Sequence, residues 1–331
     1  MESGRPPNHK PKLTIAEQIE DLRRRGVRFS ESETALARTC LTSHRSLLHL
    51  SAYRELFPKH LEGPNKGKYI DLSFTDLIAL DELDGQLRDT FLCLSLQVEN
   101  AARMQILSSI SEMPDEDGYE VVEEFLQSLP PTIYRSLKTQ LNRRGSSASL
   151  DIYTGRLINK YSDDMPVWVF VEITTFGTLL SLYRFCAKRW RNREMLHSYY
   201  MLKQVKDVRN ACGHQNCIIN GFVRQARSDH KLTPEVMSGL SLHELTKSRA
   251  SKEKLGNIRI QELVSTLYAA HIFGETSRHA LSRLEELDSK LGDAIDVYGP
   301  PVKNAFTSYL LYLRKVMRAW FSLDKQQRKY R

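Results

Sequence analysis

The chain has 331 residues, 41% of them hydrophobic, enough for one large core or two ordinary ones, and a composition that excludes a disordered polypeptide. With 48 Lys+Arg against 40 Asp+Glu the formal charge is +8, which favours an anionic partner without choosing among RNA, DNA, acidic proteins and membrane surfaces. No stretch approaches the ~20 apolar residues of a membrane span, and the polar, proline-containing segment Met1 to Lys12 does not read as a signal peptide, so a cytoplasmic protein with no membrane partner is expected. The five cysteines (Cys40, Cys93, Cys186, Cys212, Cys217) are odd in number and form no C-x-x-C pair, which makes them small core hydrophobes rather than a disulfide framework.

Helical periodicity dominates and alternating strands with hairpin turns are scarce, so the expected fold class is all-α. Thr14 with Glu17 has the form of a capping box and opens a helix that ends near Gly26. A second helix is expected from Ser32, with Glu31 and Glu33 at the positive end of its dipole. Pro58 to Tyr69, with Gly63, Pro64 and Gly67, must be a loop, and Ser73 then caps the longest helix. Along it Leu80, Leu83, Leu87, Phe91, Leu94, Val98 and Ala101 draw one apolar stripe, until Met113-Pro114 stops it.

A helix pair is expected over Tyr119 to Leu129 and Pro131 to Arg143, followed by a Gly145-Ser146-Ser147 linker. After Pro166, two apolar helical pieces hinge near Phe176-Gly177, and Met195 to Cys212 is the next helix. Arg224 to Leu255 reads as a polar loop or insertion carrying a short helix. Ile258 to Leu291, with a break near Gly274, and Pro301 to Leu323 close the set, and the basic residues from Arg314 to Arg331 form an arm or helix face. The expected organisation is thus an N-terminal helical region (1–70), a helical core (71–223), a polar insertion (224–257) and C-terminal helices with a basic tail (258–331).

The phosphate loop, G-x-G-x-x-G, H-E-x-x-H and G-x-S-x-G signatures are all absent. What stands out is Arg209-Asn210-Ala211-Cys212-Gly213-His214. A guanidinium grips a phosphate through its planar fork, and an imidazole moves protons near neutral pH. In a regular helix, however, a step of five residues leaves the two side chains about 140° apart. Either Gly213 ends the helix in the left-handed conformation and lets His214 swing back, or a second subunit completes the site. By itself Arg-x-x-x-x-His is a common spacing, and a histidine just past a helix end is more often a cap or surface residue.

The surrounding blocks resemble the bacterial Abi family of abortive-infection proteins, members of the HEPN superfamily related to the nuclease domains of type VI CRISPR effectors. Lys10 to Thr14 with Glu17-Gln18-Ile19 and Gly26 looks like the family's opening. Leu50-Ser51-Ala52-Tyr53 follows, and Asp84-Gly85-Gln86-Leu87-Arg88 leads to Val98-Glu99-Asn100-Ala101-Ala102-Arg103, similar to the family's long helix. Met165 to Glu172 running on through Phe176-Gly177-Thr178-Leu179 to Ser181-Leu182-Tyr183 looks like its most recognisable stretch, and Arg209 to His214 is its motif.

The resemblance spans roughly residues 10–285. It departs after the motif, where the family has a second histidine or small polar residue and a tryptophan, and this chain has Gln215-Asn216-Cys217-Ile218-Ile219 before Asn220.

The resemblance implies an HEPN-like helical bundle and a metal-independent endoribonuclease, a toxin or antiphage effector that needs no cofactor. In it the RNA 2′-hydroxyl attacks the neighbouring phosphate. His214 is then the general acid or base, Arg209 steadies the phosphorane charge, and Asn210 orients one of them. One motif per chain implies a homodimer, and a free RNase implies restraint by a small RNA or another antitoxin.

Glu99 and Arg103, at i and i+4, read either as a helix ion pair or as support for the cleft. Glu172 in an apolar run draws attention because burying it unpaired is costly, so a basic partner is expected. Lys188, Arg189, Trp190, Arg191 and Arg193 interleave an aromatic with cations, which suits phosphate contact and base stacking, although a solvated helix end around a buried Trp190 fits equally. Cys212, His214 and Cys217 make a poor zinc set, so no metal is expected. The other readings are a non-catalytic RNA-binding scaffold of the same fold and, disfavoured for want of a helix-turn-helix, a DNA-binding regulator.

Overall fold

A computed structural model describes residues 12–146, 150–223, 231–273, 276–299 and 304–323. Among them are fifteen α-helices and no β-strand beyond two isolated bridges, Arg28 with Ser73 and Lys59 with Tyr69. The all-α expectation therefore holds.

Helices α1 (Ile15–Arg24) and α2 (Glu31–Ser43) each begin with a complete capping box, Thr14 with Glu17 and Ser30 with Glu33. The second cap is Ser30 rather than a residue at Ser32, because the side chain must precede the first helical turn to reach its orphan N–H groups. Gly26 takes φ +93, and a Cβ there would press on the backbone of Tyr69, so the turn after α1 needs glycine. A short α3 (Leu47–Ala52) and a 3-10 turn (Tyr53–Leu56) follow, neither expected from periodicity because each is too brief to show any.

The spine is α4 (Phe74–Glu112), 39 residues capped by Ser73 as expected. Leu80, Leu83, Leu87, Phe91, Leu94 and Val98 are all buried along it, each contributing on the order of 2 kcal/mol of apolar burial. Helices α5 (Glu120–Ser128) and α6 (Pro131–Gly145) form the predicted pair, and α7 (Gly155–Lys160) packs on α6. The apolar run divides into α8 (Val167–Ile173) and α9 (Phe176–Arg189), the break falling at Thr174-Thr175, where Thr175 caps α9 by accepting from the Thr178 N–H.

Helix α10 (Arg193–Gly213) lies against α4, α9 and α13 (Ile258–Ile272). Among its described residues the polar segment before α13 holds two helices rather than one, α11 (Pro234–Leu242) and α12 (Arg249–Leu255). Beyond it, α14 (Arg278–Tyr298) and α15 (Ala305–Phe321) pack on each other, α14 also on α4 and α15 also on α13. Ser147 of the linker, Gly274 and the tail from Asp324 to Arg331 lie outside the described residues.

One hydrophobic cluster runs from Ile19 to Leu323, and a small satellite of Ile158, Val169 and Ile173 sits beside it. The C-terminal basic stripe is only partly a free face: Arg314 and Arg318 both close on Asp288 of α14, at 3.0 and 2.8 Å. Hydrogen bonds from Arg318 and Arg314 outweigh the effect of burial and hold that carboxyl below its ordinary range.

Candidate active site

Helix α10 carries Arg209 and Asn210 in its last turns, half-buried, and ends at His214, which is exposed. The helix does not break at Gly213, which is still helical. His214 is the C-cap with φ −90 and ψ 6, and the left-handed residue is Gln215, φ +55. Asn216 N–H donates to Ala211 O at 2.9 Å and Gln215 N–H to Cys212 O at 3.0 Å, the paired bonds of a Schellman turn. The reversal thus comes one residue too late to bring His214 back beside Arg209, and within one chain the two remain about 140° apart around the axis.

Arg209 faces α4. Its Nε lies 3.7 Å from Oε2 of Glu99, a carboxylate only 4% exposed, and its Nη1 donates to Asn210 Oδ1 at 3.4 Å. Glu99 Oε1 accepts from Arg103 Nη2 at 2.6 Å, and Arg103 Nε donates to the Val171 carbonyl of α8 at 2.9 Å. Glu99 is therefore flanked by two guanidiniums and anchors both. Neither Glu99 Oε2 nor Arg209 Nε completes a hydrogen bond, so Arg209 is held electrostatically while its side chain stays 38% exposed. This is the arrangement of a cation positioned by a buried acid and still open to an anion.

The segment after the motif is fixed from two sides. On one, Asp84 of α4, fully buried, accepts from the N–H of Ile218 at 3.1 Å and of Ile219 at 3.1 Å, from Tyr53 Oη at 2.9 Å and from Arg88 Nη1 at 2.5 Å. Asp81, one turn earlier, takes Arg45 Nε at 2.6 Å and His49 Nε2 at 2.9 Å, and the His49 ring touches Cys217 Sγ at 3.7 Å. On the other, Arg259 of α13 donates to the carbonyls of Cys217 at 2.9 Å and Ile218 at 2.7 Å and to Asn220 Oδ1. A Cβ at Gly221 would collide with that Arg259 side chain, so a larger residue there would push the guanidinium off these carbonyls.

Of the other residues singled out in the sequence, Glu172 is exposed on α8, so the burial cost that drew attention to it is absent. Arg189 is not a free cation: it is bound by Glu116 at 2.8 Å, Glu120 at 3.0 Å and Glu124, and Trp190 Nε1 donates to Glu116 at 2.7 Å. Those bonds push the Arg189 guanidinium pKa still higher. Lys188, Arg191 and Arg193 are exposed, but at the far end of α10, ~24 Å along the axis from Arg209. Cys212 is a core residue whose thiol burial pushes up to about 12. Among the described residues no three His, Cys, Asp or Glu side chains gather as metal ligands would.

The family model described as Abi-like protein matches residues 41–220, a span that opens just before Arg45 and closes at Asn220. The chain belongs to the Abi-like protein family. Membership suggests a role in abortive infection for this Abi-like protein. No curated protein and no solved structure matches it. The matched span takes in Tyr53, Asp84, Arg88, Glu99, Arg103 and Arg209, which come from three separated blocks of the Abi-like sequence and meet around the end of α10. Sequence inspection had no signal for Arg45, His49, Asp81 and Arg259, whose partners lie 32 or more residues away. No helix among the described residues of the Abi-like chain is long and apolar enough to cross a membrane.

Proposed function

We propose that this Abi-like protein is a metal-independent endoribonuclease of the HEPN type, acting in abortive infection as an antiphage or toxin effector restrained by a small RNA or another antitoxin. The observation that supports it best is Arg209, half-exposed and held by buried Glu99, on the helix that ends at an exposed His214. The 2′-oxygen of the substrate forms a bond to phosphorus as the bond to the 5′-oxygen breaks, leaving a 2′,3′-cyclic phosphate and a free 5′-hydroxyl. His214 exchanges the proton at one of these oxygens while water takes or gives the proton at the other, Arg209 stabilises the charge on the phosphorane, and Asn210, bonded to Arg209, orients it. Because Arg209 and His214 of one chain point apart, the site is completed by the motif of a second copy across a two-fold axis. Lys188, Arg191 and Arg193 serve as an outlying phosphate surface, without Arg189 and Trp190.

That same divergence favours a second reading, an RNA-binding scaffold that performs no chemistry. Purified protein incubated with labelled RNA in EDTA separates the two. The expected outcome is cleavage with cyclic phosphate ends, reduced by about 100-fold or more in Arg209→Ala and in His214→Ala. Binding without cleavage by the unaltered protein selects the scaffold, and undiminished cleavage by the double variant removes the chemistry from this motif.

A further inference from the structure

His214 is the C-cap of α10, its side chain is in solvent, and no side-chain hydrogen bond holds its ring among the described residues. Its place is set through the backbone. Behind it the chain reverses at Gln215 and is next tied down from Cys217, whose carbonyl accepts from Arg259, to Ile218 and Ile219, whose N–H groups both point at the Asp84 carboxylate. A carboxylate buried without exposure is costly unless its lone pairs are filled, and here two of the four donors that fill them belong to the turn behind the motif. The other two, Tyr53 Oη and Arg88 Nη1, hold Asp84 in place from the 3-10 turn and from its own helix. The same contacts would be superfluous for α4 itself, whose interior backbone groups are satisfied within the helix.

We propose that Asp84 is a positioning residue for His214, fixing the turn behind the imidazole with the help of Tyr53 and Arg88 and touching no substrate. The proposal rests on the nuclease reading above and extends it to a residue 130 positions away in the chain. Asp84→Asn keeps the size of the side chain and withdraws the charge that gathers the two N–H groups. Misplacing a reacting group by as little as 1 Å costs on the order of 100-fold, so kcat on a short RNA is expected to fall by about that factor with KM unchanged. The Ile218 and Ile219 amides should exchange with solvent faster in the same variant.

Tyr53→Phe leaves the buried ring and removes only the hydroxyl. It should lower kcat by about tenfold, the worth of one hydrogen bond to a charged group, and it keeps the test open if Asp84→Asn does not fold. Asp288→Asn, which loosens the partly buried cluster with Arg314 and Arg318 between α14 and α15, is the control for general destabilisation and should leave kcat unchanged. A folded Asp84→Asn protein cleaving at the full rate, or an equal loss in Asp288→Asn, overturns the positioning role and leaves the nuclease standing. Absence of cleavage by the unaltered protein removes the nuclease reading and this role together.

Discussion

Gly213 stands in the last turn of α10 in helical conformation, with open space where a Cβ would go. Glycine lowers stability there because its unfolded chain is freer, so Gly213→Ala should stabilise the protein by about 0.4–1 kcal/mol in thermal or urea unfolding. A loss of stability instead would mean that the residue visits the left-handed region after all. The position that does is Gln215, which together with Asn216 donates the two backbone bonds of the helix end.

Glu262 of α13, packed opposite the motif helix, is a displaced carboxyl. Burial first, and the charge of Asp207 of α10 second, push it up to about 7, against the pull of Arg259. A carboxyl raised in this way binds more protons folded than unfolded, so its contribution favours the folded state below the unfolded value and is lost as pH rises through 7. Glu262→Gln should therefore raise stability at pH 8 by about 1–3 kcal/mol, and the gain should vanish towards pH 4. Melting curves across that range check it; a gain independent of pH would place the effect elsewhere.

At the scale of elements, Arg189 ties the end of α9 to α5 and the residues before it through Glu116, Glu120 and Glu124. Removing it leaves three acids facing one another. Arg189→Ala is expected to cost about 2 kcal/mol of unfolding free energy, the loss typical of hydrogen bonds to charged groups. RNA binding by the folded protein, measured by filter retention, should stay within twofold of the unaltered chain. A selective loss of binding with no change in stability would return Arg189 to the nucleic-acid surface.

How legible an element was depended on its length. The 39-residue α4 announced itself by its stripe and by Ser73, and α1 by its capping box, because those signals are local. The six-residue α3 and α7 carry too few turns for a period to show and are held by what they pack against. The break between α8 and α9 was visible, but its position shifted to Thr174-Thr175, since Gly177 is tolerated in the first turn of a helix that Thr175 caps.

For the whole molecule the decisive prediction concerns two copies. If each cleft combines Arg209 of one chain with His214 of the other, Arg209→Ala and His214→Ala proteins, each inactive alone, should recover cleavage when refolded together. Recovery approaching a quarter to a half of the unaltered rate, roughly the share of intact clefts among mixed dimers, is expected. No recovery in a mixture shown by sedimentation to contain dimers would confine the site to one chain. The core reaching from Ile19 to Leu323 means that α13 supports the motif helix as surely as α4 does, with α15 packed behind α13, although the family match ends at Asn220.

Apart from Arg209 to His214, which gained its weight from the resemblance of the blocks around it, composition, helical period and caps determined by themselves that this protein is all-α and where its long helices run. These properties are written in neighbours three and four residues apart. Which charges are spent and which are free was decided only by tertiary packing. Arg189, promising in sequence, is bound by three glutamates, and Glu172 stands in solvent. Glu99 reaches Arg209 from 110 positions away, and Asp84 holds a turn no local pattern connects to it. A buried charge finds whichever partner the packed helices bring within hydrogen-bonding distance, and that choice is made by the whole core rather than by any stretch of the chain.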